Sequence, residues 1–202
     1  MSSNTAVTLS VNNFSIESGW LVQQASIELL PSPFFTSREC GEEIYLLVVH
    51  NISLPAGIFG GQFINDLFLG KLDCTAHDSF NDLVGVEVSA HCLIRRDGSI
   101  TQYVSFLDKA WHAGVSSFQG RERCNDYSIG IELEGTDDIP YTDSQYQQLI
   151  ALTHCLQNEY PAITMANIVG HCDIAPLRKT DPGKIFDWQY FRQQLNNTSS
   201  IK

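Results

Sequence analysis

The sequence predicts a mixed α/β (α+β) domain in which a central mixed β-sheet is flanked by helices. Residues 44–49 form a short apolar run, an Asp-Gly pair at 97–98 separates two strand-like segments, and a capping box at 142–145 opens an amphipathic segment. Strands interspersed with helices and at least one hairpin indicate a mixed sheet covered by helices. These patterns leave open whether the fold is strictly α/β or α+β.

Residues 44–49 (IYLLVV) predict a buried central strand, because the run is continuously apolar and rich in β-branched and aromatic residues. His50 would then end this strand and begin a loop. Strand ends at one edge of a sheet are where binding groups gather, on a rigid base with open space above.

The next strands lie on either side of a turn. Residues 88–95 and 100–103 flank Arg96-Asp97-Gly98-Ser99, and Asp-Gly between strand-like runs is a strong hairpin signal. Residues 127–133 (YSIGIEL) predict a further strand with an apolar and a polar face. The polar face carries Ser128, Gly130 and Glu132. Residues 167–169 predict a fifth strand before Gly170 and His171.

The clearest helix begins at the capping box Thr142-Asp143-Ser144-Gln145. Apolar residues then recur at spacings of three and four to about Tyr160, before Pro161. Residues 61–69 and 187–195 predict shorter helices.

The bulk properties predict one soluble domain of residues 19–195, with an N-terminal arm (1–18) and a C-terminal tail (196–202). The net charge of −11 gives no general attraction to nucleic acid or to anionic lipid, so neither is an expected partner. The first 20 residues lack a signal-peptide pattern and no run is long enough for a membrane helix, which predicts a cytoplasmic protein. The six cysteines form no CxxC pair and are expected to be free thiols.

His50, His171 and Asp181 are the candidate metal ligands. His171 follows a predicted strand as His50 does, and Asp181 precedes Pro-Gly at a constrained turn. Two imidazoles and one carboxylate form a catalytic zinc pattern with the fourth position left to water. Their spacing is not a motif that stands alone, so Cys172, Asp173 or His91 remain alternative ligands. Cys172 with His91 as its base would instead make a thiol hydrolase.

Two more residues are candidates for chemistry. Glu132 lies on the polar face of a predicted strand, where a buried carboxylate would serve as a base or would accept a hydrogen bond from a ligating histidine. Lys179, two residues before Asp181, is placed to donate to a developing oxyanion.

Five segments together resemble a known family. They are VVHNISLP (48–55), SAHCLIRRDG (89–98), AWHAGVSSFQGRERCNDYSIGIELEGTD (110–137), YTDSQYQQL (141–149) and GHCDIAPLRKTDPG (170–183). They resemble the AmpD-type 1,6-anhydro-N-acetylmuramyl-L-alanine amidases, which belong to a zinc amidase superfamily with phage-lysozyme-type amidases and peptidoglycan recognition proteins. The similarity runs from about residue 19 to 191, nearly the whole predicted domain.

The resemblance implies specific roles. It makes His50, His171 and Asp181 the ligands of one zinc ion, Glu132 the catalytic glutamate and Lys179 the catalytic lysine. The implied substrate is a small muropeptide from cell-wall recycling, cut between the lactyl group of anhydro-muramic acid and L-alanine, with no obligate protein partner. The residues that resemble the family's substrate-binding positions are Asn51, Trp111, His112 and Arg123.

The chain departs from the family pattern in two places: its N-terminal arm is longer, and position 87 is glutamate where the pattern has arginine. Two alternative functions are compared with that of a cytoplasmic amidase. Binding-only members of the superfamily lose at least one metal ligand, whereas all three are kept here. An exported amidase of the same fold would need a signal peptide.

Overall fold

The structure is a computed structural model that describes residues 14–198. Its strands, numbered along the chain, are β1 (Ile16–Glu17), β2 (Trp20–Leu21), β3 (Ile27–Leu29), β4 (Phe35–Ser37), β5 (Leu46–Ile52), β6 (Cys92–Ile94), β7 (Ile100–Gln102), β8 (Asp108–Ala110), β9 (Ser117–Phe118), β10 (Arg121–Glu122), β11 (Ser128–Glu134) and β12 (Ile168–Gly170). The α-helices are α1 (Phe63–Phe68), α2 (Asp143–Glu159), α3 (His171–Ile174) and α4 (Trp188–Thr198). Short 3-10 helices span Asp78–Leu83, Cys124–Asp126 and Met165–Asn167.

Six strands form the main sheet in the order β12-β5-β11-β6-β7-β3. β12, β5, β11 and β6 are mutually parallel, β7 is antiparallel to β6, and β3 is parallel to β7. The predicted mixed sheet with flanking helices is therefore confirmed. The predicted hairpin joins β6 to β7, and Gly98 adopts a positive φ of 88° in its turn.

The two central strands are apolar because both faces of the sheet are covered. On one face, side chains of β5 and β11 pack against α2 and α4 in the largest core cluster. That contact includes Leu47, Val49, Ile129, Ile131, Leu149, Leu152, Leu156, Phe191 and Leu195. The opposite face carries Leu46, Val48 and Val169, with Ala113, Tyr127 and Ile174 packed over them. This second face also carries the polar residues described below.

Helix α2 begins as the capping box predicts. The Thr142 hydroxyl accepts from the Gln145 amide at 3.1 Å, and the Gln145 side chain accepts from the Thr142 amide at 3.1 Å. The helix ends at Glu159, one residue before the predicted limit. Its buried leucines supply much of the contact with the sheet.

Two strands differ in extent from their predictions. β5 continues through His50 to Ile52 because it pairs with β11 over seven residues, so His50 lies inside the strand near its C-terminal end. The predicted strand 88–95 is regular only over Cys92–Ile94. Before it, the Ser89 amide donates to Trp111 and the His91 amide donates to Gly130, which does not form a regular ladder.

The predicted N-terminal arm and C-terminal tail differ in part from the structure. Residues 1–13 of the predicted arm lie outside the described residues, whereas Phe14 is buried in the core and β1 pairs with β2. Helix α4 continues from the predicted domain to Thr198, inside the predicted tail. None of the helices within residues 14–198 has the length and apolar character needed to cross a bilayer.

Candidate metal centre

Sheet pairing brings together three residues that are distant in sequence. His50 lies on β5, and β12 pairs with β5 so that Gly170 is opposite Val49. His171, the first residue of α3, therefore emerges beside His50 at the same edge of the sheet. Asp181 is positioned against them because the Cys172 amide donates to its carbonyl at 2.9 Å.

The three side chains converge on one point. The Nδ1 atoms of His50 and His171 lie 2.9 Å apart, and each lies 3.0 Å from Oδ2 of Asp181. His50, His171 and Asp181 are 1%, 2% and 9% exposed, so the three side chains meet inside the protein rather than at its surface. Within residues 14–198 they form the one cluster of three or more histidine, cysteine or acidic side chains with metal-binding geometry.

The donor set of this cluster fits zinc. The His171 Nε2 faces the carbonyl oxygen of Ala113 at 3.1 Å, and a carbonyl can only accept, so Nε2 carries the proton. The Nδ1 of a neutral His171 is then a lone pair aimed at the Asp181 carboxylate. Facing lone pairs need a cation between them, and two imidazole nitrogens with one carboxylate oxygen are ligands that zinc prefers.

The protonation states of the cluster also suit a metal. Burial lowers the pKa of His50 to about 4, so its imidazole is neutral at pH 7. Burial alone would raise the pKa of Asp181, but the close contacts with His171 and His50 outweigh it and hold that pKa below its ordinary value. Neutral imidazoles and an ionised carboxylate are the forms that bind metal ions.

Glu132 lies directly beside this cluster. It is the register neighbour of His50 across β11 and β5, and it is 9% exposed. Its Oε2 has no hydrogen-bond partner among residues 14–198. Burial, followed by the negative charge of Asp181, raises the pKa of Glu132 well above its ordinary value. A buried carboxylate oxygen without a partner indicates a site that takes a further polar group.

Lys179 lies in the segment between α3 and Asp181, partly buried. Its positive charge opposes the raised pKa of Glu132 and adds to the lowering of the pKa of His50. The cluster and Glu132 lie together near the C-terminal ends of the parallel strands β5 and β11, and Lys179 precedes Asp181 by two residues.

The structure gives each predicted substrate-binding residue a different environment. Asn51 follows His50 on β5, and its amide donates to Asp137 at 2.9 Å. Trp111 is partly exposed and stacks on Phe34 with ring centroids 6.0 Å apart. The side chain of Arg123 is 73% exposed and lies 3.1 Å from Asp126.

His112 is positioned differently from the other three. Its Nδ1 lies 2.9 Å from Nε2 of His50, and its Nε2 lies 3.1 Å from Oγ of Ser128. Both ring nitrogens are thus engaged inside the protein. Contact of His112 with a sugar stays a prediction, and it can involve only the carbon atoms of the ring.

The alternative ligands do not join the cluster. His91 accepts from the Gly130 amide through Nδ1, and its Nε2 faces the carbonyl of Asp108. Asp173 accepts from the Gly170 amide at the start of α3. Burial raises the pKa of the Cys172 thiol, the reverse of what a thiolate nucleophile needs.

Comparison with known proteins identifies the family. The family model described as N-acetylmuramoyl-L-alanine amidase matches residues 41–184. The 1,6-anhydro-N-acetylmuramyl-L-alanine amidase AmpD of Citrobacter freundii is 58% identical over 184 residues, which are 91% of this chain and 96% of that protein. The chain belongs to the N-acetylmuramoyl-L-alanine amidase family. Within it, the amidase is of the AmpD type, and it is a hydrolase of amide bonds.

Solved structures agree with this membership. The crystal structure of a selenomethionine AmpD derivative superposes with a TM-score of 0.84 at 58% identity, covering 89% of this amidase and 98% of that chain. AmiD of E. coli, in complex with the substrate anhydro-N-acetylmuramic acid-L-Ala-D-γ-Glu-L-Lys, superposes at 0.55 with 28% identity, covering 90% of this chain and 65% of that one.

Sequence reasoning assigned no functional role to several residues that surround the ligands. Ser128 and Gly130 share the polar face of β11 with Glu132, and both are buried. Asn125 accepts hydrogen bonds from the amides of His112 and Ala113. The small residues beside Glu132 were a usable signal, because two small side chains on the face of a buried carboxylate leave room for another group. Nothing in the sequence marks Asn125.

Proposed function

We propose that this amidase is a zinc enzyme that hydrolyses the amide bond between 1,6-anhydro-N-acetylmuramic acid and L-alanine in recycled cell-wall fragments. One observation carries the proposal: the buried ligand atoms of His50, His171 and Asp181 converge within 3.0 Å, next to a Glu132 oxygen without a partner. The AmpD-type relatives support the bond and the anhydro sugar.

His50, His171 and Asp181 would hold the zinc. When bound there, zinc supplies Lewis acidity, which lowers the pKa of a water ligand to about 7 and polarises a carbonyl. A site with three protein ligands keeps a position open for that chemistry.

The protein supplies the proton transfers and part of the charge stabilisation. Glu132 takes a proton from the attacking water as its oxygen forms a bond to the lactyl carbonyl carbon. The ammonium of Lys179 stabilises the negative charge that develops on the carbonyl oxygen, a type of contribution of about 3–4 kcal/mol per donor. As the C–N bond breaks, Glu132 returns the proton to the nitrogen of L-alanine, which leaves as the free amine.

Substrate binding is assigned to the residues around this centre. A groove of about 590 Å³ is lined by residues 114–117 and 174–178 with Glu122 and Arg123, next in sequence to His112 and His171. Arg123 is the leading group for a stem-peptide carboxylate, since it is exposed and cationic in a protein of net charge −11. Asn51 would contact the peptide, and Trp111 with the ring edge of His112 would contact the sugar.

A second cavity of about 460 Å³ does not suit an acidic muropeptide. It is lined by four glutamates with Arg38, and it borders Ile44 at the opposite end of β5 from His50. The glutamates are Glu39, Glu42, Glu43 and Glu159.

We propose further that the enzyme acts in the cytoplasm on small fragments.

Product analysis tests the proposal. Mass spectrometry follows an anhydro-muramyl tripeptide and the matching reducing-end muropeptide, each with enzyme alone, with chelator, and with zinc restored. We expect the anhydro sugar and the free tripeptide as products, loss of turnover with chelator, and its recovery with zinc. Turnover that survives complete removal of zinc would contradict the metal role, and an intact lactyl–alanine bond would contradict the reaction.

A further inference from the structure

Two consecutive residues bind the outer nitrogens of both histidine ligands. Nδ1 of His112 lies 2.9 Å from Nε2 of His50, and the carbonyl of Ala113 lies 3.1 Å from Nε2 of His171. Each imidazole is therefore bound on the side that faces away from the metal cluster. We call His112 and Ala113 together the clamp.

The bonds of the clamp select a tautomer for both ligands. Nε2 of His171 lies 3.1 Å from the Ala113 carbonyl and 3.4 Å from the guanidinium of Arg178, which donates to that carbonyl at 2.6 Å. The closer neighbour can only accept, so His171 carries its proton on Nε2 and offers Nδ1 to the metal. His50 also faces the cluster with Nδ1, so its Nε2 carries the proton and donates to Nδ1 of His112. These are the tautomers that a metal bound through Nδ1 requires.

His112 completes this chain on β11. Since its Nδ1 accepts from His50, a neutral His112 carries its proton on Nε2 and donates to Oγ of Ser128, 3.1 Å away. Gly130 lies beneath the ring, where an added Cβ would overlap it. The ring reaches His50 because the strand presents a glycine at that position.

The clamp itself is held by Asn125. Its side-chain oxygen accepts from the amide of Ala113 at 2.8 Å and from the amide of His112 at 3.3 Å. Arg178, three residues before Asp181, donates to the carbonyls of Ala113 at 2.6 Å and Val115 at 2.9 Å. The clamp is thus tied both to the residues before β11 and to the segment that carries the third ligand.

We propose that His112 and Asn125 are positioning residues that set the tautomer and orientation of both zinc-binding histidines, and thereby the affinity for zinc. This rests on the proposed function, because it takes His50 and His171 as zinc ligands. His112 acts directly on His50, and Asn125 acts on both ligands through the clamp. Partners of this kind typically contribute 10–100-fold to metal affinity.

Zinc affinity of the full chain, measured by competition with a chromophoric chelator, tests the proposal without using activity. His112→Phe keeps a ring without an acceptor, and His112→Asn restores an oxygen at the position of Nδ1. Asn125→Ala removes the acceptor for the clamp amides, and Asn125→Asp keeps it. We expect His112→Phe and Asn125→Ala to weaken zinc binding by roughly 10–100-fold, and the two matched variants to stay within about threefold of the original protein.

Thermal unfolding of the zinc-free proteins separates positioning from folding, since a purely structural residue would lower that stability and leave the affinity of the folded protein unchanged. A folded His112→Phe with unchanged affinity, or a folded His112→Asn as weak as His112→Phe, overturns the proposal. Where a variant does not fold, NMR of the imidazole nitrogens in the zinc-loaded original protein decides: the proposal requires the His112 proton on Nε2, and a proton on Nδ1 contradicts it. Failure of the original protein to bind zinc would instead refute the proposed function.

Discussion

At the scale of single residues, the central feature is a carboxylate with nothing to bind. Glu132 is buried beside three metal-ligand candidates, and its Oε2 has no partner among residues 14–198. Leaving such an oxygen unpaired costs free energy, so its retention is explained best by a polar group that enters during the reaction.

Replacing Glu132 by glutamine separates catalysis from metal binding. The amide keeps the size of the side chain but cannot accept the proton of the attacking water. We expect turnover to fall by about 10²–10⁴-fold, the usual contribution of a general base, with zinc content near one per chain. Steady-state rates and metal analysis of the same preparation measure both. Turnover at the original rate would remove Glu132 from the mechanism.

The same substitution has a pH-dependent effect on the stability of the zinc-free protein. The pKa of Glu132 in the folded state lies well above its ordinary value of 4.5, because burial disfavours the charge. The unfolded chain releases this proton first, so Glu132 makes folding less favourable as pH rises above 4.5. We therefore expect zinc-free Glu132→Gln to be more stable than the original protein at pH 7, and the gap to shrink toward pH 4. Denaturant unfolding at both pH values measures it, and a pH-independent gap would contradict the shift.

At the scale of elements, β11 organises the site by its period of two. Ser128, Gly130 and Glu132 alternate onto one face, where they bind His112, leave space for its ring and flank His50. The intervening residues Ile129 and Ile131 pack into the main core on the other face. One strand therefore positions the chemistry and buries apolar surface at the same time.

Helix α2 contributes stability to this arrangement from the opposite face of the sheet. Its capping hydroxyl on Thr142 satisfies the Gln145 amide, and we expect Thr142→Ala to lower the free energy of unfolding by about 1 kcal/mol. Thr142→Ser keeps the hydroxyl and should retain most of the stability. Chemical denaturation of the three proteins measures this, and equal losses in both variants would assign the effect to the methyl group.

The sequence predicted individual helices, strands and turns better than it predicted which strands pair in the sheet. The capping box and the Asp-Gly turn are local signals, and both were confirmed in α2 and in the β6–β7 hairpin. The insertion of β11 between β5 and β6 is a long-range event that no local pattern records. The same reason explains why β5 extends through His50, since its last residues are ordered by pairing with β11.

The residues of the candidate site likewise include some that the sequence indicated and some that it did not. Residue chemistry and family resemblance indicated His50, His171 and Asp181, because two imidazoles at strand ends and a carboxylate at a constrained turn are a recognisable ligand set. The position of His112 behind His50 was not predictable, since it depends on a loop that returns across the face of β11 at Gly130. Asn125 was missed because it acts by accepting hydrogen bonds from the backbone amides of His112 and Ala113, and such bonds leave no pattern in the sequence.

At the scale of the whole molecule, the account depends on sheet topology bringing residues 50, 171 and 181 to one point. The large core between the sheet and α2 with α4 does not include these three side chains. The fold should therefore survive the loss of one ligand, which makes ligand variants interpretable.

The zinc content and affinity of His171→Ala, beside His77→Ala as a control, test this claim most directly. His77 is exposed and lies outside the cluster, at the start of a 3-10 helix. We predict one tightly bound zinc per chain in the original protein and in His77→Ala, and a folded His171→Ala that has lost both zinc and turnover. A folded His171→Ala that retains stoichiometric zinc with unchanged affinity would contradict the account.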